Sequence, residues 1–288
     1  MYKILNPFLD LKALAIAGRC NTFYQEFWQY VLKQNVISVP EGCSTMNQAM
    51  DLAVVFSERN DCTRGNPVKV EVGEGEYAMV GVAVDKEAGP RTPVSCSNIT
   101  IVGKGKGKTT ILGGFSVNDK QNVKMEQLSA TNKAGDGLFL TGSGTNVDIT
   151  ECCFKKCQYH GMNVCAGATV SVSNSDFMVN GRNGIVCYGV NTKVRLNDST
   201  MHHNVGDGLW ADDHAVVDLH GTGTNIHFNR YSGIFAIENT KVNIHLPSQH
   251  NTTHDNVKGN RVQDSGGSIA NINADGTFTH IPAPDEFM

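Results

Sequence analysis

One short pattern recurs between residues 137 and 256, and it limits what this chain can fold into more than any other feature. Gly137-Leu138-Phe139-Leu140 returns as Gly161-Met162-Asn163-Val164, Gly184-Ile185-Val186-Cys187, Gly208-Leu209-Trp210-Ala211 and Gly233-Ile234-Phe235-Ala236. The glycines are 24, 23, 24 and 25 residues apart, a spacing too regular for chance and too short for a pair of helices. A second column keeps step with the first: Val147 and Ile149, Val170 and Val172, Val194 and Leu196, Val217 and Leu219, Val242 and Ile244. Each is an apolar pair separated by one residue, the period of a strand with one buried face. A third column runs through Phe154, Phe177, Met201 and Ile226, followed three residues later by Cys157, Asn180, Asn204 and Asn229.

A single unit of this kind cannot bury its apolar side, whereas stacked units bring every column into register and close a continuous core. The expected fold is therefore an all-β solenoid, a right-handed parallel β-helix of about 24-residue coils spaced about 4.8 Å apart. In such a stack the carboxamides of the Asn column can donate to and accept from their copies one coil away; simple turn formation is the competing reason for Asn there. Cys187 shares the column of inward Val164 and reads as a small core hydrophobe.

Composition narrows the partners. With 24 basic and 28 acidic residues the chain has no cationic excess for a phosphate backbone, so nucleic acid is not an expected partner. No apolar run reaches the roughly 18 to 20 residues of a membrane span. The nine cysteines form no CxxC pair, and an odd count with adjacent Cys152 and Cys153 fits a reducing, intracellular compartment.

Three segments emerge: residues 1–38, helical; residues 39–275, the β-helix; and residues 276–288, a C-terminal tail with Pro282 and Pro284. In the first, Leu9, Leu11, Leu14 and Ala15, then Phe23, Phe27, Tyr30 and Val31, fall at helical spacing. A signal peptide competes through the apolar run Leu11 to Ala17, interrupted by Lys12. In the second, Thr45-Met46-Asn47-Gln48 has capping-box spacing, and Met46, Ala49, Met50, Ala53 and Val54 line one face of a helix suited to plug the open end of the stack. Gly103-Lys104-Gly105-Lys106-Gly107-Lys108-Thr109 lacks the first glycine of a phosphate loop, since Val102 stands there, and reads as a charged turn. Gly267-Ser268-Ile269-Ala270-Asn271-Ile272 is expected to open a last Gly-led strand, with an insertion of about ten residues before it.

Two resemblances add to this reading. Leu9-Asp10-Leu11-Lys12-Ala13-Leu14, Ala17-Gly18-Arg19-Cys20-Asn21-Thr22-Phe23 and Phe27-Trp28 resemble the later part of an F-box, without its opening Leu-Pro helix. That resemblance implies a Skp1-like adaptor as partner and the presentation of a substrate to a ubiquitin ligase; a helical cap on the solenoid is the alternative. The order of helix, Val68-Val70-Val72 strand, turn Gly73 to Tyr77 and Asn98-Ile99-Thr100-Ile101-Val102-Gly103 is similar to the entry of the pectin-lyase-like superfamily. That superfamily includes lyases, hydrolases and epimerases as well as recognition modules without turnover.

In each Gly-led strand the second and fourth residues after Gly point outward. They give the columns Phe139, Asn163, Val186, Trp210, Phe235 and Thr141, Cys165, Tyr188, Asp212, Ile237. Phe139, Tyr188, Trp210, Asp212 and Phe235 are the candidate binding residues, a docking face for a protein or for stacked sugar rings unless a loop or the tail covers it. The face carries Asp212, with Asp136 and Asp207 at its edge, and no Arg or Lys, an arrangement that would repel an anionic polymer. For hydrolysis, Asp213 and Glu238 are the candidate carboxyl pair, one coil apart. His202, His227 and His254 share a column and are the candidate metal ligands. The expected function is a recognition scaffold with no catalytic residue, no cofactor and no bound metal; the alternative is a polysaccharide hydrolase, lyase or epimerase.

Overall fold

The computed structural model describes residues 35–79, 91–245 and 253–279. The chain winds through three sheets of 11, 8 and 8 strands, parallel except for the last strand of the first sheet, and from Val68–Val72 onward it visits each once per coil. The first sheet holds the alternating apolar pairs, with Val147, Val170, Val194 and Val217 in register from coil to coil and buried. The second holds the Gly-led strands, where Leu138, Met162, Ile185, Leu209 and Ile234 form one inward column with no exposed surface. The third pairs Phe154 with Phe177, Phe177 with Met201 and Met201 with Ile226. The Phe154 and Phe177 rings stack at 5.4 Å. Burial of these three columns against one another makes a single elongated core, which is why no coil is stable without its neighbours.

The glycine opening each strand is required for space. A Cβ on Gly184 would stand 2.7 Å from the Gly208 carbonyl oxygen and 2.9 Å from Asn204 Nδ2. The next coil's backbone and the Asn side chain fill that site. The Asn column forms a buried ladder: Asn180 Nδ2 donates to Asn204 Oδ1 (3.0 Å), Asn204 Nδ2 to Asn229 Oδ1 (2.9 Å) and Asn229 Nδ2 to Asn256 Oδ1 (2.9 Å). Each of those oxygens also accepts the backbone N–H of the preceding Asn, and each Nδ2 caps a strand carbonyl, as Asn204 does for Phe177. Buried carboxamides are tolerated because every coil supplies the partners that the next one needs.

At the N-terminal end the helix Met46–Arg59 lays Met46, Ala49, Met50, Ala53 and Phe56 on the first coils, while Val54 is only half-buried. Thr45 is its N-cap and accepts from Gln48 N–H at 3.2 Å; Gln48 Oε1 reaches back to Ser44. The first sheet already begins at Val36–Val39, inside the segment read as helical. The rest of that segment, with its F-box-like motif and signal-like run, lies outside the described residues, as do Pro282 and Pro284.

At the other end the expectation for Gly267 to Ile272 is corrected. Ser268–Ile272 pairs with Lys241–His245 in the first sheet, and the last Gly-led position is taken by Asn260, because Ser232 aligns with Gly259 and Ile234 with Arg261. Ile269 continues the Val217–Val242 column, so the alternation belonged to the first sheet. Phe278–Thr279 then turns back as an antiparallel edge strand. The eight cysteines among the described residues are free thiols, and burial pushes Cys152 and Cys157 up to about 12. No helix among the described residues is long and apolar enough to cross a membrane.

Candidate functional site

The outward face of the second sheet is a groove of about 410 Å³. Its floor is the second-position column, with Phe139, Asn163, Val186 and Trp210 on successive coils. On one side stand Tyr188 and Asp212, register partners on adjacent strands. The other side is built by the turns that precede each glycine, which contribute Asp136, Tyr159, His160 and Arg182. Phe235 packs on Trp210 from the next coil, with ring centroids 6.5 Å apart, and does not line the cavity. The structure thus gathers four of the five sequence-identified binding residues in one cleft, Phe139, Trp210 and Asp212 half-buried and Tyr188 exposed. Two atoms of floor residues, Asn163 Oδ1 and Trp210 Nε1, are buried without a hydrogen-bond partner among the described residues.

The expectation of a face without Arg or Lys is corrected. Arg182 lines the groove with its guanidinium 4.6 Å from the Tyr159 ring centroid, and no carboxylate pairs with it among the described residues. Arg91 lies 4.0 Å over the Phe139 ring and 3.5 Å from Asp136 Oδ2, both side chains almost fully buried. Tyr159 and Arg182 stand two residues before their glycines, and Arg182 N–H donates to the Tyr159 carbonyl from the next coil. Their fixed offset from the glycines is the one trace this wall leaves in the sequence, and it does not say where the side chains point; Arg91 lies outside the repeats.

The residue immediately before each glycine forms a second ladder. Asp136 Oδ1 accepts from His160 N–H (3.0 Å), His160 Nδ1 from Asn183 N–H (3.3 Å), Asn183 Oδ1 from Asp207 N–H (2.8 Å) and Asp207 Oδ1 from Ser232 N–H (2.7 Å). These side chains hold the turns that wall the groove. Burial raises the Asp136 carboxyl above its usual range, against the opposing pull of the His160 N–H and of Arg91, and raises Asp207 likewise. Burial, with Arg182 nearby, lowers His160 to about 4, and burial raises the Tyr188 phenol.

The remaining candidates lie elsewhere. Asp213 and Glu238 occupy exposed turns outside the groove, and Asp213 Oδ1 is 3.1 Å from His214 Nδ1. His202, His227 and His254 stack face to face on the third sheet at 5.1 Å. Ring lone pairs lie in the ring plane, so stacked imidazoles direct theirs side by side and not to one point. Among the described residues no three His, Cys, Asp or Glu side chains are grouped to hold a metal ion. His202 Nδ1 instead faces His203 Nδ1 at 2.8 Å.

Residues 93–198 match the family described as "Right handed beta helix region". The chain is similar to the solved structure of ORF18 of Geobacillus virus E2, with 13% identity and a TM-score of 0.50 over 95% of this chain and 65% of that one. It is also similar to the Agl-KA catalytic domain, with 16% identity and a TM-score of 0.52 over 82% of this chain and 47% of that one. No curated protein matches it. The chain therefore spans less than two thirds of either structure's length, and the likeness is one of fold. On its registers and this match, the chain is an all-β solenoid with one helix among the described residues, a right-handed parallel β-helix.

Proposed function

We propose that the groove on the second sheet binds a carbohydrate chain and that the protein is a polysaccharide-recognition solenoid. The observation that carries this reading is the lining: aromatic faces of Phe139, Tyr159, Tyr188 and Trp210 surround hydrogen-bonding groups of Asn163, His160, Arg182 and Asp212. Sugars offer apolar ring faces for stacking and many hydroxyls for directed hydrogen bonds, which this mixture fits. Recognition is favoured over two-carboxylate hydrolysis by the spacing of the carboxyl groups. Asp136 and Asp212 belong to coils three steps apart, about 14 Å along the axis at about 4.8 Å per step. Glycoside hydrolysis needs about 5 to 9.5 Å. Buried free thiols support an intracellular setting.

The test is affinity electrophoresis in gels containing dextran, xylan, laminarin or polygalacturonate, with a reducing-end assay on the same panel. Retardation without new reducing ends supports recognition. New reducing ends would replace it with turnover, a second outcome worth reading because Agl-KA is named as a catalytic domain. Migration unchanged in every gel would sink the groove reading.

A further inference from the structure

The geometry points to His160 as a specificity-determining hydrogen-bond donor, its Nε2–H meeting an acceptor oxygen of the sugar bound in the groove. This rests on the carbohydrate reading above. His160 Nδ1 accepts the Asn183 N–H at 3.3 Å, so the lone pair is on Nδ1 and the neutral ring carries its proton on Nε2. The residue is more than nine-tenths buried, yet it lines the groove. Nε2 has no acceptor among the described residues and is not one of the buried unpartnered atoms, so it keeps some exposure, and the cavity that its residue lines is the groove. The column explains why this is more than a structural histidine. Asp136, Asn183 and Asp207 perform the same acceptor task one coil apart, so the ladder needs only an acceptor, and the imidazole adds a donor that the task does not use.

The charges around the ring keep it neutral. Its own backbone N–H is held by Asp136 Oδ1, Arg91 pairs with that carboxylate, Arg182 flanks the ring and Asp212 lines the far wall. With burial and Arg182 both disfavouring the imidazolium, the donor is present as one tautomer across neutral and mildly acidic pH.

His160→Asn separates the two roles. An Asn in this column already accepts the next coil's N–H, as Asn183 does, and its carboxamide ends at the level of Nδ1, short of Nε2. Measured with whichever of dextran, xylan, laminarin and polygalacturonate retards the wild-type chain most, His160→Asn should melt as the wild type does and bind roughly tenfold more weakly, the effect of one lost hydrogen bond. Wild-type affinity should be flat between about pH 5.5 and 7.5, since no imidazole of ordinary pKa takes part. Equal affinity of His160→Asn and wild type overturns the donor while leaving the groove reading in place. So does a wild-type binding curve with a midpoint near the ordinary histidine value. Failure of all four polysaccharides to retard the wild-type chain overturns both.

Discussion

Asn204 Nδ2 donates to Asn229 Oδ1 at 2.9 Å, while Asn204 Oδ1 accepts both the backbone N–H and the side-chain N–H of Asn180. One carboxamide therefore links three coils inside the core, and its second Nδ2 hydrogen goes to the Phe177 carbonyl. Asn204→Ala leaves that carbonyl, the Asn180 donors and the Asn229 oxygen short of partners in a site closed to water. Each orphaned buried group costs about 1–3 kcal/mol, so a loss of about 3–5 kcal/mol is expected, read as a lower urea midpoint with an unchanged slope.

Gly184→Ala tests the reason for the glycine column. The added methyl meets the Gly208 carbonyl and the Asn204 side chain at 2.7 and 2.9 Å, and both are fixed by the next coil. Overpacking of this kind costs about 1–3 kcal/mol. The same change at Gly107, where no atom lies within 4 Å, should leave the melting temperature nearly unchanged.

Ile185→Asp places a carboxylate at a position with no exposed surface in the middle of the inward column. A carboxyl there either stays charged and unpaired or takes up a proton, and with the lost apolar packing either form costs several of the roughly 5–15 kcal/mol that hold an ordinary domain, so the variant should lack wild-type cooperative unfolding by circular dichroism. A soluble variant with the wild-type melting curve would contradict the register.

Trp210→Ala addresses the groove. The ring is half-buried and packs on Phe235, so truncation should cost about 1–2 kcal/mol of stability while weakening polysaccharide retention by an order of magnitude or more. Loss of stability with full retention would remove Trp210 from the binding surface.

The pH dependence of stability follows from the histidines. His160 falls to about 4 in the fold, below its unfolded value of about 6.5, so its contribution is complete above that value and is lost as pH falls toward 4. The full shift corresponds to about 3 kcal/mol. Burial lowers His202, His220 and His227 as well, with neighbouring imidazoles adding to it, and these act in the same direction. Asp136 and Asp207, raised by burial, work in the opposite sense, since the fold then binds their protons more readily than the unfolded chain. Melting temperature should decline from pH 7 to 4.5, and His160→Asn should flatten that decline.

The sequence by itself determined the coil length, the three columns and the place of the Asn column, while the choice between a carboxamide ladder and simple turn formation fell to the structure. A period of about 24 residues repeated with inward apolar positions has one way to bury them all, so the register of Ile185 on Leu209 or of Asn204 on Asn229 was already implied. Periodicity failed at Ser268–Ile272, whose apolar alternation fits the first sheet as well as the second; only the pairing of Val242 with Ile269 assigns it. The groove was half legible: Phe139, Trp210, Tyr188 and Asp212 follow from alternation along a strand. Its other wall was decided by tertiary structure. Turn residues such as Tyr159 and Arg182 obey no alternation, and the ladder through Asp136, His160 and Asn183 fixes where their side chains stand. Arg91 reaches Phe139 from outside the repeat. Burial of a column is a property of spacing, which sequence carries, whereas the convergence of charges and rings from separate turns depends on contacts that exist only after the coils have stacked.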